Sequence, residues 1–258
     1  MLKRLVRRRL VVGIAAIVVA LAAFRRALDQ SGIIRVVGGV APPRASPGSV
    51  VSDKPVPVSP GFQGCPPTGD GGDRELNYLK NRVDSASWAP TAFATVLDLR
   101  WSPSVIRRFR EAWSRRDSVS VAEDEGLPVA VEGYFVAGKL EGPEATNCHG
   151  ADATFRDWHL WLSATPGKDR SRSIVVETTP AVRANHPEWS LNAIHKLVRD
   201  STLVRVSGWL MLDPEHPEQL GKTRGTLWEI HPVMKVEMLR DGRWTDLSAK
   251  ALTDTTSE

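Results

Sequence analysis

From Leu127 onward the apolar residues fall on every second position. PVAVEGYFVAGKL sets small or apolar residues at Val129, Val131, Gly133 and Phe135, the period of a strand with one buried face. Gly133 marks a place where such a strand can bend. DWHLWLS predicts a second strand, with Trp158, Leu160 and Leu162 on one face and Asp157, His159 and Trp161 on the other. SIVVETT predicts a third, Ile174 and Val176 opposing Val175 and Glu177. The period then lengthens: EWSLNAIHKLVRD carries Leu191, Ile194, Leu197 and Val198 at helical spacing, with Asn185 or His186 as the cap and Pro187 just inside. TLVRVSGWLML returns to alternation, Val204, Val206, Leu210 and Leu212 on one side and Arg205 and Trp209 on the other. GTLWEIHPVMKVEM closes the series, and Pro232, which has no N–H for a ladder, predicts a bulge or an edge position.

Upstream, residues 74–126 read as a helical or irregular lead-in. Its best helix is WSPSVIRRFREAWSRRD: Ser102 can cap, Pro103 suits the first turn, and Val105, Ile106, Phe109 and Trp113 share a face. Five arginines on the other faces read as a solvated flank balanced by the acidic AEDE at 122–125, the usual amphipathic pattern.

Three strands, one helix and two strands over residues 127–240 resemble an OB-fold domain, a mainly β fold in which a five-stranded Greek-key barrel carries its helix between the third and fourth strands. The resemblance lies in element order and size. It implies a ligand face on the second and third strands, flanked by the loops between strands one and two and strands four and five. On that face it implies stacking by Trp161, Trp209 and Tyr134, with Arg205, Lys222 and Arg224 supplying charge.

Composition changes the picture at the N-terminus. The net charge of +4 is not evenly spread, because residues 1–30 hold seven Lys and Arg against one Asp and the remainder is slightly acidic. MLKRLVRRR precedes an unbroken apolar run, Leu10 to Phe24, the layout of a targeting segment. Cleavage after Ala22 is one reading; Arg25 and Arg26, poorly placed for a mature N-terminus, favour an uncleaved signal anchor. The flanking charges put the N-terminus in the cytoplasm and the main domain outside, as a single-pass cell-membrane protein, or a secreted one if the leader is removed. Residues 31–73, rich in Pro, Gly and Ser, read as a spacer, and residues 241–258 as a C-terminal tail.

Export makes Cys65 and Cys148, the sole cysteines, a disulfide candidate, with two free thiols as the alternative. Nucleic acid is an unfavoured partner, since residues 127–240 contain 13 basic and 14 acidic side chains and a polyanion would want the opposite balance. For metal, Asp157 and His159 share a strand face, Glu177 lies on the strand expected beside them, and His149 or His231 could swing in. Imidazole and carboxylate ligands suit zinc or another divalent ion, although alternating polar residues on a solvated strand give the same pattern. His231 and His216 read as a satisfied edge-strand histidine and an exposed loop residue. No HExxH, GxSxG or dinucleotide-binding glycine pattern is present.

The expectation is therefore an exported, membrane-tethered OB-like binding or scaffolding module of the cell envelope, without an obligatory cofactor, whose partner is an envelope protein or an oligosaccharide. The alternative is a metal-dependent hydrolase built on His149, Asp157, His159 and Glu177.

Overall fold

A computed structural model describes residues 54–248. The expected signal anchor, the first part of the spacer and the end of the tail lie outside the described residues. Among those described, no helix is long and apolar enough to cross a membrane.

Seven strands form one sheet: β1 (Ala89–Thr91), β2 (Pro128–Leu140), β3 (Trp158–Ser163), β4 (Ile174–Thr178), β5 (Leu203–Leu212), β6 (Trp228–Arg240) and β7 (Arg243–Asp246). Strands β2 to β6 close into a barrel. β3 pairs antiparallel with β2 and β4, β4 runs parallel to β6, β6 is antiparallel to β5, and β5 returns to β2. Closure depends on β2 serving two neighbours along its length. Residues 128–134 pair with β5 and residues 134–140 with β3, and the handover falls beside Gly133, where a Cβ would stand 2.7 Å from the Ser163 carbonyl oxygen.

The alternation read from the sequence decides what faces inward. Val131, Phe135, Leu160, Ile174, Val206 and Ile230 fill the barrel, each at most 2% exposed. A closed barrel of this size is packed by its own side chains. The helix α5 (Leu191–Arg199) sits between β4 and β5 in sequence, after a single helical turn α4 (Pro180–Arg183), and lays Ala193, Ile194 and Leu197 into the core. Its cap is Ser190, whose hydroxyl accepts from the Ala193 N–H, so the helix begins later than Asn185 or His186.

Pro232 lies within β6, a strand paired on both sides, at the irregularity opposite Gly208. A Cβ on Gly208 would approach the Pro232 carbonyl oxygen to 2.3 Å, so the bulge needs glycine there. β7 adds a hairpin to β6 within the segment read as a tail.

The lead-in is wrapped around this barrel. It contains α1 (Arg74–Lys80), β1 laid parallel on the part of β2 that β3 leaves free, α2 (Phe93–Leu97) and α3 (Arg115–Asp124). The helix expected over WSPSVIRRFREAWSRRD is broken instead into two 3-10 turns, Pro103–Val105 and Arg110–Ala112, before α3 begins at Arg115. Ser102 does cap the first turn, but Arg107 adopts φ +53°, which ends any continuous helix. The amphipathic reading inverts in consequence. Phe109 is half-exposed, while Arg110 is buried and forms a two-pronged pair with Glu125 at 2.6 and 2.8 Å.

Asp73 binds this lead-in together. One carboxylate oxygen caps α1 by accepting from the N–H groups of Glu75 and Leu76, and the other accepts from the Arg110 N–H at 2.7 Å. Such a cap contributes about 1 kcal/mol.

Candidate functional site

The outward positions of β3, β4 and β6 are unusually rich in ionisable groups. Counting alternately, Asp157, His159 and Trp161 point out at β3, Val175 and Glu177 at β4, and Glu229 and His231 at β6. The register sets His159 directly opposite Glu177 and Val175 beside Glu229. Two carboxylate-x-histidine pairs, Asp157/His159 and Glu229/His231, therefore flank Glu177 from either side.

These residues do not face water. Asp157 and His231 are 0% exposed, Glu229 1%, and His159 and Glu177 6% each. Their cover is the chain's own segment 65–82 together with the 3-10 turn Ala145–Asn147. The Asn77 side chain donates to the Thr68 and Gly71 carbonyls and accepts from the Thr146 hydroxyl, and Asn81 donates to the Thr146 carbonyl at 2.9 Å. Cys65 and Cys148 form a disulfide across the same contact. Lys80, at the end of α1, is buried with its charge facing Asp213, Glu144, Glu177 and Glu229.

Within the cluster two carboxylates are each held by one oxygen. Asp157 accepts through Oδ1 from Asn147 Nδ2 at 2.9 Å. Glu177 meets His159 Nδ1 through Oε1 at 2.5 Å, and that nitrogen also lies 3.1 Å from Glu141 Oε1. The second oxygens turn toward His231: Asp157 Oδ2 stands 3.7 Å from Nε2 and Glu177 Oε2 stands 3.6 Å from Nδ1. Glu229 Oε2 is also 3.6 Å from Nδ1. These separations are too long for hydrogen bonds. Asp157 Oδ2, Glu229 Oε2 and both His231 nitrogens have no hydrogen-bond partner among the described residues.

Burial and pairing pull the protonation states apart. Burial alone would lower the His159 imidazole, but the Glu177 carboxylate and the contact with Glu141 outweigh it and hold His159 up at about 9. The same contact brings Glu141 down to about 2. Burial raises Glu144 to about 8 and pushes Asp157 and Asp213 upward. Burial would raise Glu229 too, yet the Arg224 guanidinium beside it keeps it far below the usual carboxylate range.

Arg224, fully buried, pairs with Glu229 and lies 3.8 Å from Asp213. Six carboxyl groups (Glu141, Glu144, Asp157, Glu177, Asp213, Glu229) thus share their environment with four fixed cations, Lys80, Lys139, Arg183 and Arg224. The shortfall of two positive charges is met at neutral pH by the protonated His159 and by the proton that Glu144 retains.

The structure brings together Asp157, His159 and Glu177 from the residues named on sequence grounds as metal ligands. His149 is not among them; it is exposed on the loop after the 3-10 turn, at φ +53°. His231 takes its place and is not the satisfied edge-strand histidine that its sequence suggests, because β6 is paired on both sides and both ring nitrogens lack hydrogen-bond partners among the described residues.

Of the six residues named for ligand stacking and charge, Trp161, Trp209 and Arg205 are otherwise engaged, and Arg224 is buried against Glu229. Trp209 is 1% exposed, with the Arg82 guanidinium 3.4 Å above its ring, Trp88 edge-on at 5.2 Å and its indole N–H donated to the Asp84 carbonyl. Trp161 is buried with Val136 and Val175, lies against the His159 ring and sits beneath Arg170 at 4.6 Å. Arg205 pairs with Glu132 at 3.0 Å and stacks over Trp244 at 4.0 Å.

Sequence reasoning passed over Glu141, Glu144, Lys80 and Asp213. A signal existed for Glu229 and His231, whose i, i+2 spacing on a strand repeats that of Asp157 and His159. No protein-family model matches the chain, and no curated protein is similar to it.

Proposed function

We propose that the chain is an exported, membrane-tethered OB-barrel module of the cell envelope, acting as a binding or scaffolding component whose partner is an envelope protein or an oligosaccharide. One observation carries this reading: the barrel face on which an OB domain lays single-stranded nucleic acid is here occupied by the chain's own segment, with Lys80 buried against Glu177 and Cys65 bonded to Cys148. A barrel that spends that face on its own lead-in is suited to presenting its remaining surface. A disulfide that fastens the cover fits an oxidising compartment, and the basic leader followed by an apolar run fits tethering.

The test follows the whole chain expressed in a bacterial host. It is expected to sediment with membranes and to resist maleimide labelling until a reductant is added. A chain that stays in the soluble cytoplasmic fraction with both thiols reactive would contradict the reading.

A further inference from the structure

We propose that the covered barrel face holds one divalent transition-metal ion, zinc or manganese, between Asp157, Glu177 and His231. This goes beyond the envelope reading and does not depend on it.

Three independent features of the site converge. One donor atom from each residue lies within 4.8 Å of the others, and all three residues are buried. Asp157 Oδ2 faces Nε2 and Glu177 Oε2 faces Nδ1, at 3.7 and 3.6 Å, outside hydrogen bonding; an ion takes one of the two ring nitrogens, so the site forms when both carboxylates close on that nitrogen from the 4.8 Å within which the donor atoms already lie. The atoms turned inward, Asp157 Oδ2 and the His231 nitrogens, are those without partners among the described residues. Leaving such atoms unsatisfied in a buried site is costly, and an ion would satisfy Asp157 Oδ2 and one of the two His231 nitrogens.

The second feature is how the carboxylates are held. Each is tied by one oxygen, Asp157 by Asn147 and Glu177 by His159, so that the other oxygen is fixed toward His231. Outer groups that orient ligands in this way are characteristic of metal sites. His159 becomes a positioning residue on this account, supported in turn by Glu141 at 3.1 Å. Glu229 Oε2, at 3.6 Å from His231 Nδ1, is the nearest further donor.

The third feature is the donor chemistry. An ion bound here displaces protons now held in the cluster, and His231 binds it neutral, as a ligand must be. A mixed imidazole and carboxylate set suits zinc or manganese rather than the oxygen-only preference of calcium. The enclosure under α1 makes this a closed site, as structural ions have.

The experiment dialyses the full chain against Zn2+ or Mn2+, removes free metal by gel filtration and measures the residue by elemental analysis. One equivalent per chain is expected, with a higher melting temperature than after chelation. Asp157→Asn and His231→Gln are each expected to lose the ion. His159→Gln should keep it with about 10–100-fold weaker affinity, and His149→Ala should match the parent.

Absence of both metals from the parent chain, with no change in melting on chelation, would overturn the proposal in favour of a protonated His231 clamped between the two carboxylates. Undiminished metal in Asp157→Asn and His231→Gln would overturn it by placing the ion elsewhere. X-ray absorption on the metal-loaded parent needs no variant to fold: one imidazole with oxygen donors is expected, and two or more imidazoles, or sulfur, would contradict the assignment.

Discussion

Replacing Arg224 with methionine is expected to destabilise the folded chain by about 3–5 kcal/mol, because a buried ion pair that loses one partner leaves the other charge stranded. Arg224 is fully buried and lies against Glu229, itself 1% exposed, with Asp213 on its far side. Its removal takes one of few fixed cations from a cluster already rich in carboxylates. The Glu229 carboxyl, now held far below its ordinary range by that guanidinium, would have to take up a proton or draw in water. Arg224→Met combined with Glu229→Gln should recover part of the loss, since the second substitution removes the stranded charge. Urea denaturation of the three proteins measures the effect through the shift in midpoint. A single variant as stable as the parent would show that this pair does not bear on folding.

Cys65→Ser with Cys148→Ser is expected to cost a comparable amount, about 4–5 kcal/mol from loop-closure entropy for a bridge spanning 83 residues. The bond joins the segment before α1 to the loop after the 3-10 turn Ala145–Asn147, so the loss should fall on the cover before it falls on the barrel. Hydrogen exchange monitored by mass spectrometry separates the two, with residues 62–82 losing protection while β3, β4 and β6 retain most of theirs. Equal loss across cover and barrel would mean that the two unfold as one unit.

The barrel was readable because one face of every strand is apolar and the other is not. Leu160 and Leu162, or Ile174 and Val176, announce their parity in a few residues, and the helix between β4 and β5 announces a different period. The same logic misreads the opposite face. Asp157, His159 and Glu177 alternate with core residues just as solvent-facing residues do, and nothing local reveals that α1, some 80 residues upstream of Asp157, lies over them.

Asp157, His159 and Glu177 could still be grouped because β3 and β4 are neighbours in sequence. His231 was harder to place, since it reaches them only through the parallel pairing of β4 with β6, a contact between strands separated by a helix and another strand. The lead-in failed for a different reason. Val105, Ile106, Phe109 and Trp113 fit a helical face, yet a left-handed Arg107 and the demand of Glu125 for a buried guanidinium at Arg110 broke the helix. Tertiary contacts overrode a local propensity worth only tenths of a kcal/mol per residue.

Segment 65–82 seals the ionisable face of the barrel, and Lys80 reports on it directly. Its ammonium group is buried at the seal, and although burial alone would lower its pKa, the carboxylates of Asp213, Glu144, Glu177 and Glu229 hold it well above the ordinary lysine value. Amine acylation of the native chain, read by peptide mass spectrometry, is predicted to modify the exposed Lys168 and Lys222 while sparing Lys80 until the protein is unfolded. Acylation of Lys80 at the rate of those two in the folded, oxidised protein would contradict the account.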